Sequence, residues 1–400
     1  MKIGIIREGK VPPDMRVPLT PKQCVELVAK YPELELKVQS SEVRTFRDTS
    51  YSDLGIAVAD EVQDAEILMG VKEVPLDMLI PNKTYFFFTH TTKEQPYNRD
   101  LLRTILKKNI RIIDYEGLTN EKGIRIIGFG YYAGIVGAYN GIMAWGKRTK
   151  TFELCSALQL TTLDDMKREL KKAKLPNIKL AFTGAGRVAT GVLDVMQMMG
   201  MKQVNPDDYL SKDYDEPVFT QLLVTDYNKR KDGQVLPRTD FYANFREYNS
   251  DFFKYAKVTD LYIASHFYAE HSPFIFTREE AKHPDFKIKV VADISCDIDG
   301  PVASTLRPST IADPLYGYDA QNESETNFDN KDAITVMAVD NLPCELPAVA
   351  SEGFGNELIN HIIPQLLNGD AGDILKRATI AENGKLTDKY AYLQNYVDGK

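Results

Sequence analysis

Two short apolar segments flank a glycine-rich turn in the middle of the chain, and this order restricts the fold more than any other feature. Residues 178–183 have the length and apolar character of a buried strand. The turn Gly184-Ala185-Gly186-Arg187-Val188-Ala189 follows, and residues 192–199 then place apolar side chains at helical spacing. A strand, a tight turn and a helix in this order predict a parallel α/β sheet.

The spacing of the glycines in this turn is typical of a dinucleotide site. Gly184 permits the tight turn, Gly186 lets the backbone approach a pyrophosphate, and the small Ala189 lets the helix lie close to the sheet. The helix amino terminus would then face the phosphates. The pattern alone is weak, but its position after a strand and before a helix favours a dinucleotide over a purely structural turn. The predicted cofactor contacts in the turn are Gly184, Ala185, Gly186, Arg187 and Val188.

The sequence after the turn leaves NAD(H) and NADP(H) both open. An acidic residue about 20 positions further on would bind the adenosine ribose of NAD. The expected strand end reads Val204-Asn205-Pro206, so Asn205 is the predicted contact there, and its neutral side chain does not enforce NAD. Arg187 and the run Lys229-Arg230-Lys231 could accept a 2′-phosphate, although such a run is more often a solvated loop.

Short β-rich segments alternate with helical segments in the first third of the chain, which predicts parallel strands joined by crossover helices. Thr20 is placed to cap the first helix. The expected strands are 3–7, 66–71, 85–89 and 111–115, and the expected helices are 21–30 and 99–108. Segments at 261–264, 287–292 and 334–339 are expected to be strands of a second sheet.

Two regions give weaker signals. Residues 202–260 can be assigned only as irregular structure with some helix, and the tail from Ser351 is expected to be helical without any strand. We therefore predict an α/β protein with two Rossmann-like, doubly wound parallel-sheet domains. The first is a substrate-binding domain, 1–135, completed by C-terminal helices in 351–400. The second is a dinucleotide-binding domain, 136–350.

One segment imitates a membrane span. From Ile126 to Gly146 the chain runs 21 residues without a charge, which is the length needed to cross a bilayer. Six of these residues are glycine, and Tyr131, Tyr139 and Asn140 add polar groups. Since each glycine costs a helix about 1 kcal/mol relative to alanine, we predict a buried turn and helix at a domain junction.

Charge and cysteine content narrow the class of protein. The net charge of −8 repels phosphate backbones, so we expect no nucleic-acid partner. The four cysteines are far apart, which indicates reduced thiols in a cytoplasmic protein. A charge at Arg7 comes too early for a secretory signal. We expect no membrane partner, and the oligomeric state stays open.

Basic and imidazole side chains follow the predicted strands of the first domain. Lys72 and His90 come at strand ends, and Arg16 follows the first strand. Because ligands of open α/β sheets bind beyond the carboxyl ends of strands, these residues fall where chemistry is expected. His90 has no cysteine or second histidine at ligand spacing, which disfavours a metal site. A locally bonded histidine and a surface lysine remain equal alternatives from these residues alone.

Seven blocks spread in order over nearly the whole chain carry a family resemblance. They resemble the lysine-ketoglutarate reductase half of the bifunctional aminoadipic semialdehyde synthases. They are more loosely similar to the lysine-forming saccharopine dehydrogenases and to the alanine dehydrogenase and transhydrogenase superfamily. The blocks are Lys83-Thr-Tyr-Phe-Phe-Phe-Thr-His90-Thr-Thr-Lys-Glu-Gln95, Arg111-Ile-Ile-Asp-Tyr-Glu116, Gly128-Phe-Gly-Tyr-Tyr-Ala-Gly134, Phe182-Thr-Gly-Ala-Gly186, Ala292-Asp-Ile-Ser-Cys-Asp297, Asp340-Asn-Leu-Pro343 and Thr387-Asp-Lys-Tyr-Ala-Tyr392.

The resemblance implies an active site in the cleft between two dinucleotide-fold domains, with site residues on both. It implies that Lys72 and His90 form the acid–base pair and that Glu116 tunes the lysine. The resemblance is weakest over 202–260, so contacts to the adenosine do not transfer. The implied substrate contacts are Arg16, Arg125 and Phe129, and the implied contacts near the nicotinamide are Asp293, Asp340, Leu342 and Pro343.

The resemblance implies a pyridine-nucleotide oxidoreductase that acts on the CH–NH bond of saccharopine, formed from lysine and 2-oxoglutarate. Its small-molecule substrates would be an amino acid and a 2-oxo acid, and the reductive members of the family favour NADP(H) over NAD(H). A close alternative is an opine or amino-acid dehydrogenase that takes another amine. Two further alternatives are the nucleotide-binding component of a transhydrogenase, in which Lys72 and His90 have no role, and an inactive cofactor-binding relative.

Overall fold

A computed structural model describes all 400 residues, and the chain divides into two compact units. Unit 1 comprises Met1–Phe129 and Pro347–Lys400, and unit 2 comprises Gly130–Leu346. Each unit is built on an eight-stranded sheet, and unit 2 carries an additional two-stranded hairpin. The structure thus confirms the predicted α/β class with two mostly parallel sheets.

The strands are β1 (Lys2–Ile5), β2 (Glu35–Gln39), β3 (Ala57–Ala59), β4 (Ile67–Met69), β5 (Thr84–Phe87), β6 (Arg111–Asp114), β7 (Lys179–Thr183), β8 (Lys202–Gln203), β9 (Val218–Leu222), β10 (Asn228–Arg230), β11 (Tyr248–Ser250), β12 (Leu261–Ala264), β13 (Val290–Asp293), β14 (Leu315–Asp319), β15 (Ser324–Thr326), β16 (Ile334–Met337), β17 (Thr379–Glu382) and β18 (Lys385–Leu386). The helices are α1 (Pro21–Lys30), α2 (Asp48–Ser52), α3 (Arg99–Lys107), α4 (Gly130–Thr149), α5 (Leu163–Leu170), α6 (Arg187–Met198), α7 (Pro206–Ser211), α8 (Arg238–Asn244), α9 (Phe253–Ala256), α10 (Arg278–Lys282), α11 (Pro347–Glu357), α12 (Ile363–Asn368), α13 (Ile374–Ala378) and α14 (Gln394–Asp398).

The sheet of unit 1 has the strand order β18-β17-β6-β5-β4-β1-β2-β3, and β1 to β6 run parallel. The four strands predicted in this region are confirmed as β1, β4, β5 and β6. Helix α1 has the predicted bounds, and Thr20 caps it in a capping box with Gln23. The short strands β2 and β3 were not predicted, because neither offers a long apolar run.

The tail of the chain corrects one prediction. Helices α11 to α14 are present, but β17 and β18 lie among them, so the tail is not purely helical. Strand β17 pairs antiparallel with β6, and β18 pairs antiparallel with β17. Ile380 and Ala381 are fully buried in the unit 1 core. The tail therefore completes the sheet of unit 1 as well as covering it.

The sheet of unit 2 has the order β15-β14-β16-β13-β12-β7-β9-β8, with β14 and β15 antiparallel to their neighbours. The predicted strands are confirmed as β7, β12, β13 and β16. The assignment of 202–260 as irregular structure with some helix was wrong in part, since β8, β9 and the β10–β11 hairpin lie there. Strand β9 is short and is preceded by acidic residues and a proline, so its signal is weak.

The long uncharged segment forms the end of a loop and most of α4, which is buried from Gly134 to Gly146. A Cβ atom on Gly134 would overlap the carbonyl oxygen of Val188, and one on Gly191 would overlap that of Tyr131. Helices α4 and α6 therefore pack backbone against backbone, and the glycines are required for this packing. No helix of the structure combines the length and the apolar character that a bilayer crossing requires.

Candidate functional site

The carboxyl ends of three neighbouring parallel strands carry the predicted catalytic residues of unit 1. In the sheet, β6, β5, β4 and β1 lie side by side, so their carboxyl ends share one edge. Lys72 follows β4, His90 follows β5, and Glu116 follows β6. The structure thus brings to one edge three residues that are far apart in the sequence.

Lys72 lies in a loop held by a half-buried carboxyl group. Glu8 accepts hydrogen bonds from the backbone N–H groups of Val71 and Lys72, at 2.6 and 2.9 Å. Burial raises the pKa of Glu8 to about 8, although these two bonds oppose the rise. Burial, followed by the positive charge of Arg16, lowers the pKa of the Lys72 ammonium. Lys72 can therefore lose its proton closer to neutrality than an exposed lysine does.

His90 is held by an ionised carboxylate. Its Nδ1 lies 2.6 Å from Oε1 of Glu73, and Oε2 of Glu73 lies 2.8 Å from the ammonium of Lys10. Burial opposes ionisation of Glu73, but the bonds from His90 and Lys10 outweigh burial and lower its pKa to about 2. Because a carboxylate only accepts hydrogen bonds, we assign the ring hydrogen to Nδ1. Neutral His90 then has a lone pair on Nε2 that can accept a proton.

A second buried carboxyl group joins the loops that carry His90 and Glu116. Asp114, at the end of β6, is fully buried. It accepts hydrogen bonds from the backbone N–H of Thr89 at 3.0 Å, from the Thr89 hydroxyl, and from the backbone N–H of Glu116 at 2.7 Å. Burial raises its pKa. Asp114 therefore holds the loop that follows β5 and the loop that follows β6 next to each other.

Arg16 forms a buried bidentate ion pair. Its Nε and Nη2 atoms bind the two carboxylate oxygens of Asp14 at 3.0 and 2.6 Å, and both side chains are only 2% exposed. The guanidinium carbon lies 4.2 Å from the centre of the Phe129 ring, and Phe129 stacks on Phe354 at 4.5 Å. The ion pair and the aromatic contact hold the predicted substrate residues Arg16 and Phe129 together.

Glu116 contacts Arg125, another predicted substrate residue. Nη2 of Arg125 lies 3.1 Å from Oε1 of Glu116, and the Arg125 side chain is 48% exposed while that of Glu116 is 17% exposed. The resemblance implies that Glu116 tunes Lys72. In the structure the acidic groups that act on Lys72 are Asp14 and Glu73, and Glu116 is instead paired with Arg125.

The glycine turn of unit 2 has the predicted conformation. Gly184 has φ of +110°, and a Cβ atom there would lie 2.7 Å from the carbonyl oxygen of Ser265, so only glycine fits. Gly186 precedes α6, and no atom lies within 4 Å of the position of its Cβ. Ala189 is fully buried against the sheet. Open space at Gly186, beside the first N–H groups of a 12-residue helix, is what a pyrophosphate requires.

The predicted nicotinamide residues lie at the end of β13 and after β16, and these strands end at the same sheet edge as β7. Asp293 is fully buried, and its carboxylate accepts bonds from Ser295, Cys296 and Thr305. Asp293 therefore fixes the conformation of the loop after β13 through these hydrogen bonds. After β16, Asp340 is exposed, while Leu342 and Pro343 are buried in a 3₁₀ turn.

Asn205 follows a strand end, as predicted, but that strand is not the one beside the glycine turn. It caps α7 by accepting the N–H of Asp208, and it follows the edge strand β8. The strand beside β7 is β9, so the chain segment next to the glycine turn is the one that follows Leu222. Strand β8 pairs with the far side of β9 and not with β7. Counting about 20 residues from the glycine turn does not reveal this strand order.

Four carboxyl groups that the structure places at the site were not predicted from the sequence. The missed carboxyl groups are Glu8, Asp14, Glu73 and Asp114. Glu73 is adjacent to Lys72 in the sequence. An acidic residue next to a candidate base could therefore have been predicted as part of the site. Asp14 is two residues from Arg16, so its pairing with a predicted substrate residue was also a local signal. Glu8 and Asp114 act through contacts with distant residues, and nothing in their local sequence distinguishes them from surface carboxylates.

Comparison with known proteins adds to this geometry. Residues 4–136 match the family model of the alanine dehydrogenase/PNT N-terminal domain. The mitochondrial alpha-aminoadipic semialdehyde synthase of Mus musculus is 29% identical over 97% of this chain and 47% of its own length. This chain thus spans about half the length of that relative. The predicted resemblance is confirmed.

Two further similarities cover complete proteins. The saccharopine dehydrogenase [NAD(+), L-lysine-forming] of Yarrowia lipolytica is 24% identical, over 94% of this chain and 95% of its own length. A solved L-alanine dehydrogenase superposes with a TM-score of 0.66 at 15% identity, covering 100% of this chain and 99% of the other. At that identity the solved structure supports the fold alone.

Proposed function

We propose that this chain is an NAD(P)-dependent oxidoreductase that acts on the CH–NH bond of saccharopine. In the reductive direction it condenses lysine with 2-oxoglutarate, and in the other direction it reverses that reaction. The observation that carries the proposal is the placement of Lys72 and His90 after adjacent strands, with His90 bound to Glu73 and the Lys72 ammonium buried beside them. The similarity to saccharopine dehydrogenases over nearly the whole chain supports the same reaction.

The reaction requires proton transfers that Lys72 and His90 are suited to make. A neutral amine must attack the keto carbon, water must leave the resulting carbinolamine, and the C=N bond must then be reduced. His90 can accept a proton at Nε2, because Glu73 holds the hydrogen on Nδ1. Lys72 can give or take a proton because burial lowers its pKa. Each such transfer contributes about 10²–10⁴-fold to a rate.

The substrates carry two or three carboxylates, which require fixed cations. Arg16 and Arg125 are assigned to them, because a guanidinium has five N–H donors, of which the pair with Asp14 engages two in Arg16. Asp14 and Phe129 fix the plane of the Arg16 guanidinium, which reduces the entropy lost on binding. Arg125 is half exposed and would exchange its contact with Glu116 for a substrate carboxylate.

The residues of unit 2 fit a dinucleotide. Gly186 leaves a cradle that a Cβ would fill, and the first turn of α6 supplies backbone N–H groups for a pyrophosphate. The buried apolar turn that contains Leu342 and Pro343 is assigned to the nicotinamide end of the site. When bound, the reduced nicotinamide supplies the hydride that reduces the C=N carbon.

The proposal is tested by following absorbance of the reduced nucleotide with the intact chain. The assay contains 2-oxoglutarate, NADH or NADPH, and a panel of amines that includes lysine, ornithine, alanine and ammonia. We expect oxidation that depends on lysine. Oxidation with another amine alone would support the opine or amino-acid dehydrogenase alternative, and no dependence on any amine would refute a CH–NH reaction.

The variant Lys72→Met separates chemistry from nucleotide binding. We expect it to lose turnover and to keep its affinity for the nucleotide, measured by calorimetry. The matched control is Lys22→Met, because Lys22 is an exposed lysine of α1 in the same unit. If Lys72→Met still exchanged hydride between two nucleotides at the original rate, the chain would be a transhydrogenase component instead.

A further inference from the structure

A buried carboxyl group lies in the 3₁₀ turn that follows β16. The turn spans Leu342–Glu345, and all four of its residues are buried. It begins after Asn341, which has φ of +64°, and the N–H of Cys344 donates to the carbonyl oxygen of Asn341 at 3.0 Å. Glu345, the last residue of the turn, is only 2% exposed. The proton transfers assigned to Lys72 and His90 give this carboxyl group no role.

The turn packs directly on α4. A Cβ atom on Gly137 would lie 3.2 Å from Cδ1 of Leu342, so this part of the turn lies against the helix. Asn140 is one helical turn further along the same face of α4 and is fully buried. Its Nδ2 donates to Oε1 of Glu345 at 2.8 Å. A side-chain hydrogen bond thus ties the end of the turn to the helix.

One polar atom of Asn140 is unsatisfied. Its Oδ1 is buried and has no hydrogen-bond partner in the structure. An ionised carboxylate only accepts hydrogen bonds, so it cannot satisfy another acceptor. A protonated carboxyl group carries one O–H donor, and Glu345 could then return a bond to the amide that already donates to it. Protonation of Glu345 would therefore supply the partner that Oδ1 of Asn140 lacks.

The elements packed against this turn carry no charge near Glu345. Residues 134–146, the buried part of α4, are all uncharged, and the 3₁₀ turn Ala157–Gln159 contains no titratable side chain. The titratable groups here are the phenol of Tyr139 in α4 and the thiol of Cys344 in the turn itself. No cation is therefore available to stabilise a carboxylate at this position.

The electrostatics of Glu345 agree with this geometry. Burial raises the pKa of Glu345 to about 7, and the bond from Asn140 opposes the rise only in part. The hydroxyl of Tyr139 is not a donor to Glu345, because it donates to the carbonyl oxygen of Cys155 at 2.7 Å. A negative charge on Glu345 would help to raise the pKa of Tyr139, so the phenol does not compensate for ionisation of the acid.

We infer that Glu345 is a protonated acid in a reciprocal pair with the amide of Asn140, and that its ionisation at alkaline pH releases the turn at the nicotinamide end of the site. Loss of the proton removes the bond to Oδ1 and leaves a charge in an apolar contact. The part that concerns the nicotinamide rests on the proposed function. Glu345 is a positioning residue, since it acts through Leu342 and Pro343 and does not itself touch the nucleotide.

The pair is tested by Glu345→Gln, whose amide replaces the acceptor and the donor of the neutral acid. The folded-state pKa of Glu345 is about 7, above its ordinary 4.5, so its stabilising contribution is complete below pH 4.5 and is lost as the pH rises through 7. We expect the two proteins to be equally stable near pH 4.5. At pH 8 we expect the unfolding constant of the wild-type protein to be about 10²-fold larger than that of the variant, measured by urea denaturation.

The control is Glu153→Gln, because Glu153 is an exposed glutamate of the same unit. We expect its stability relative to the wild-type protein to be independent of pH. If Glu345→Gln were no more stable than the wild-type protein at pH 8, or if it folded poorly, the pair would be overturned.

A second variant separates the charge from the hydrogen bonds. Glu345→Leu removes the ionisable group and leaves both ends of the Asn140 amide without their partner. We expect its unfolding constant to be about 10-fold larger than that of Glu345→Gln at every pH. Equal stability of the two variants would show that Asn140 gains nothing from a donor at position 345, and would overturn the reciprocal pair.

The effect on the nicotinamide end is measured by calorimetry with NADH and with NADPH, from pH 6 to pH 9. We expect the affinity of the wild-type protein, relative to that of Glu345→Gln, to fall by about 10-fold over this range, which is a usual size of coupling between two sites. The same pH dependence in both proteins would overturn the link between Glu345 and the nucleotide. Binding by neither protein at any pH would overturn the proposed function, whereas the urea experiments would still decide the pair.

Discussion

At the carboxyl edge of the unit 1 sheet, charged side chains contact one another, whereas at the corresponding edge of unit 2 the glycine turn is formed mainly by backbone. In unit 1, Lys10, Glu73 and His90 form a continuous chain of contacts. In unit 2, Gly184 and Gly186 shape the turn by the absence of side chains. The first edge is suited to moving protons, and the second to holding phosphates with N–H groups.

The largest expected effect is on the side-chain network of unit 1. The substitution His90→Gln removes the group that accepts a proton at Nε2. We expect kcat to fall by about 10²–10⁴-fold while nucleotide affinity stays the same. Steady-state kinetics with calorimetry provides the measurement. His271→Gln is the control, because His271 is an exposed histidine of unit 2. A smaller loss than 10-fold would show that His90 has no role in proton transfer.

The next effect is on the backbone packing of unit 2. Since a Cβ at Gly134 would overlap a backbone atom, Gly134→Ala forces α4 and α6 apart. We expect the free energy of unfolding to fall by about 3 kcal/mol or more, measured by urea denaturation. Gly130→Ala is the control in the same helix, where the nearest atom would lie 3.5 Å from the new Cβ. Equal stability of the two variants would contradict the close packing of these helices.

A smaller effect is expected from Glu73→Gln, and it depends on pH. The folded-state pKa of Glu73 is about 2, below its ordinary 4.5, so its stabilising contribution is complete above pH 4.5 and is lost as the pH falls through 2. We expect the variant to be about 2 kcal/mol less stable at pH 7, with the difference vanishing towards pH 2. Urea denaturation across this pH range gives the test, with the exposed Glu42→Gln as the control. A stability difference that stayed constant with pH would mean that the contacts with His90 and Lys10 do not lower the pKa of Glu73.

The smallest effect separates folding from binding in unit 2. Gly186→Ala adds a Cβ to a position with no atom within 4 Å. We expect stability to change by less than about 0.5 kcal/mol, because the new atom meets nothing. We expect nucleotide affinity to fall by about 10-fold, or about 1.4 kcal/mol, because the backbone can no longer approach the pyrophosphate. Full affinity in this variant would remove Gly186 from the nucleotide site.

The same contrast explains what could be predicted from the sequence. Lys72 and His90 were predicted because strand ends are visible as breaks in apolar runs, and the order of α/β units places those ends together. The glycine turn was predicted because its conformation requires particular residues at fixed spacing. Both signals are local.

The features that were missed depend on contacts between distant parts of the chain. The bond between Glu73 and His90 requires a loop in which His90 has φ of +52°, and no local pattern specifies that conformation. Asn205 was placed by counting residues, whereas the neighbour of β7 is determined by the pairing of β9. Strands β17 and β18 were missed because β17 follows directly on the helix α13, and its partner β6 lies more than 260 residues earlier.

The position of β17 has a consequence for synthesis on the ribosome. Strand β6 is complete early, but the strand that covers it is made only after all of unit 2 has been translated. During that interval the outer edge of β6 is unpaired and includes Ile112 and Ile113, and such an edge can recruit strands from other chains. Nascent chains of this protein should therefore be most prone to intermolecular association before the last 22 residues emerge, and should benefit from holdase chaperones during that period.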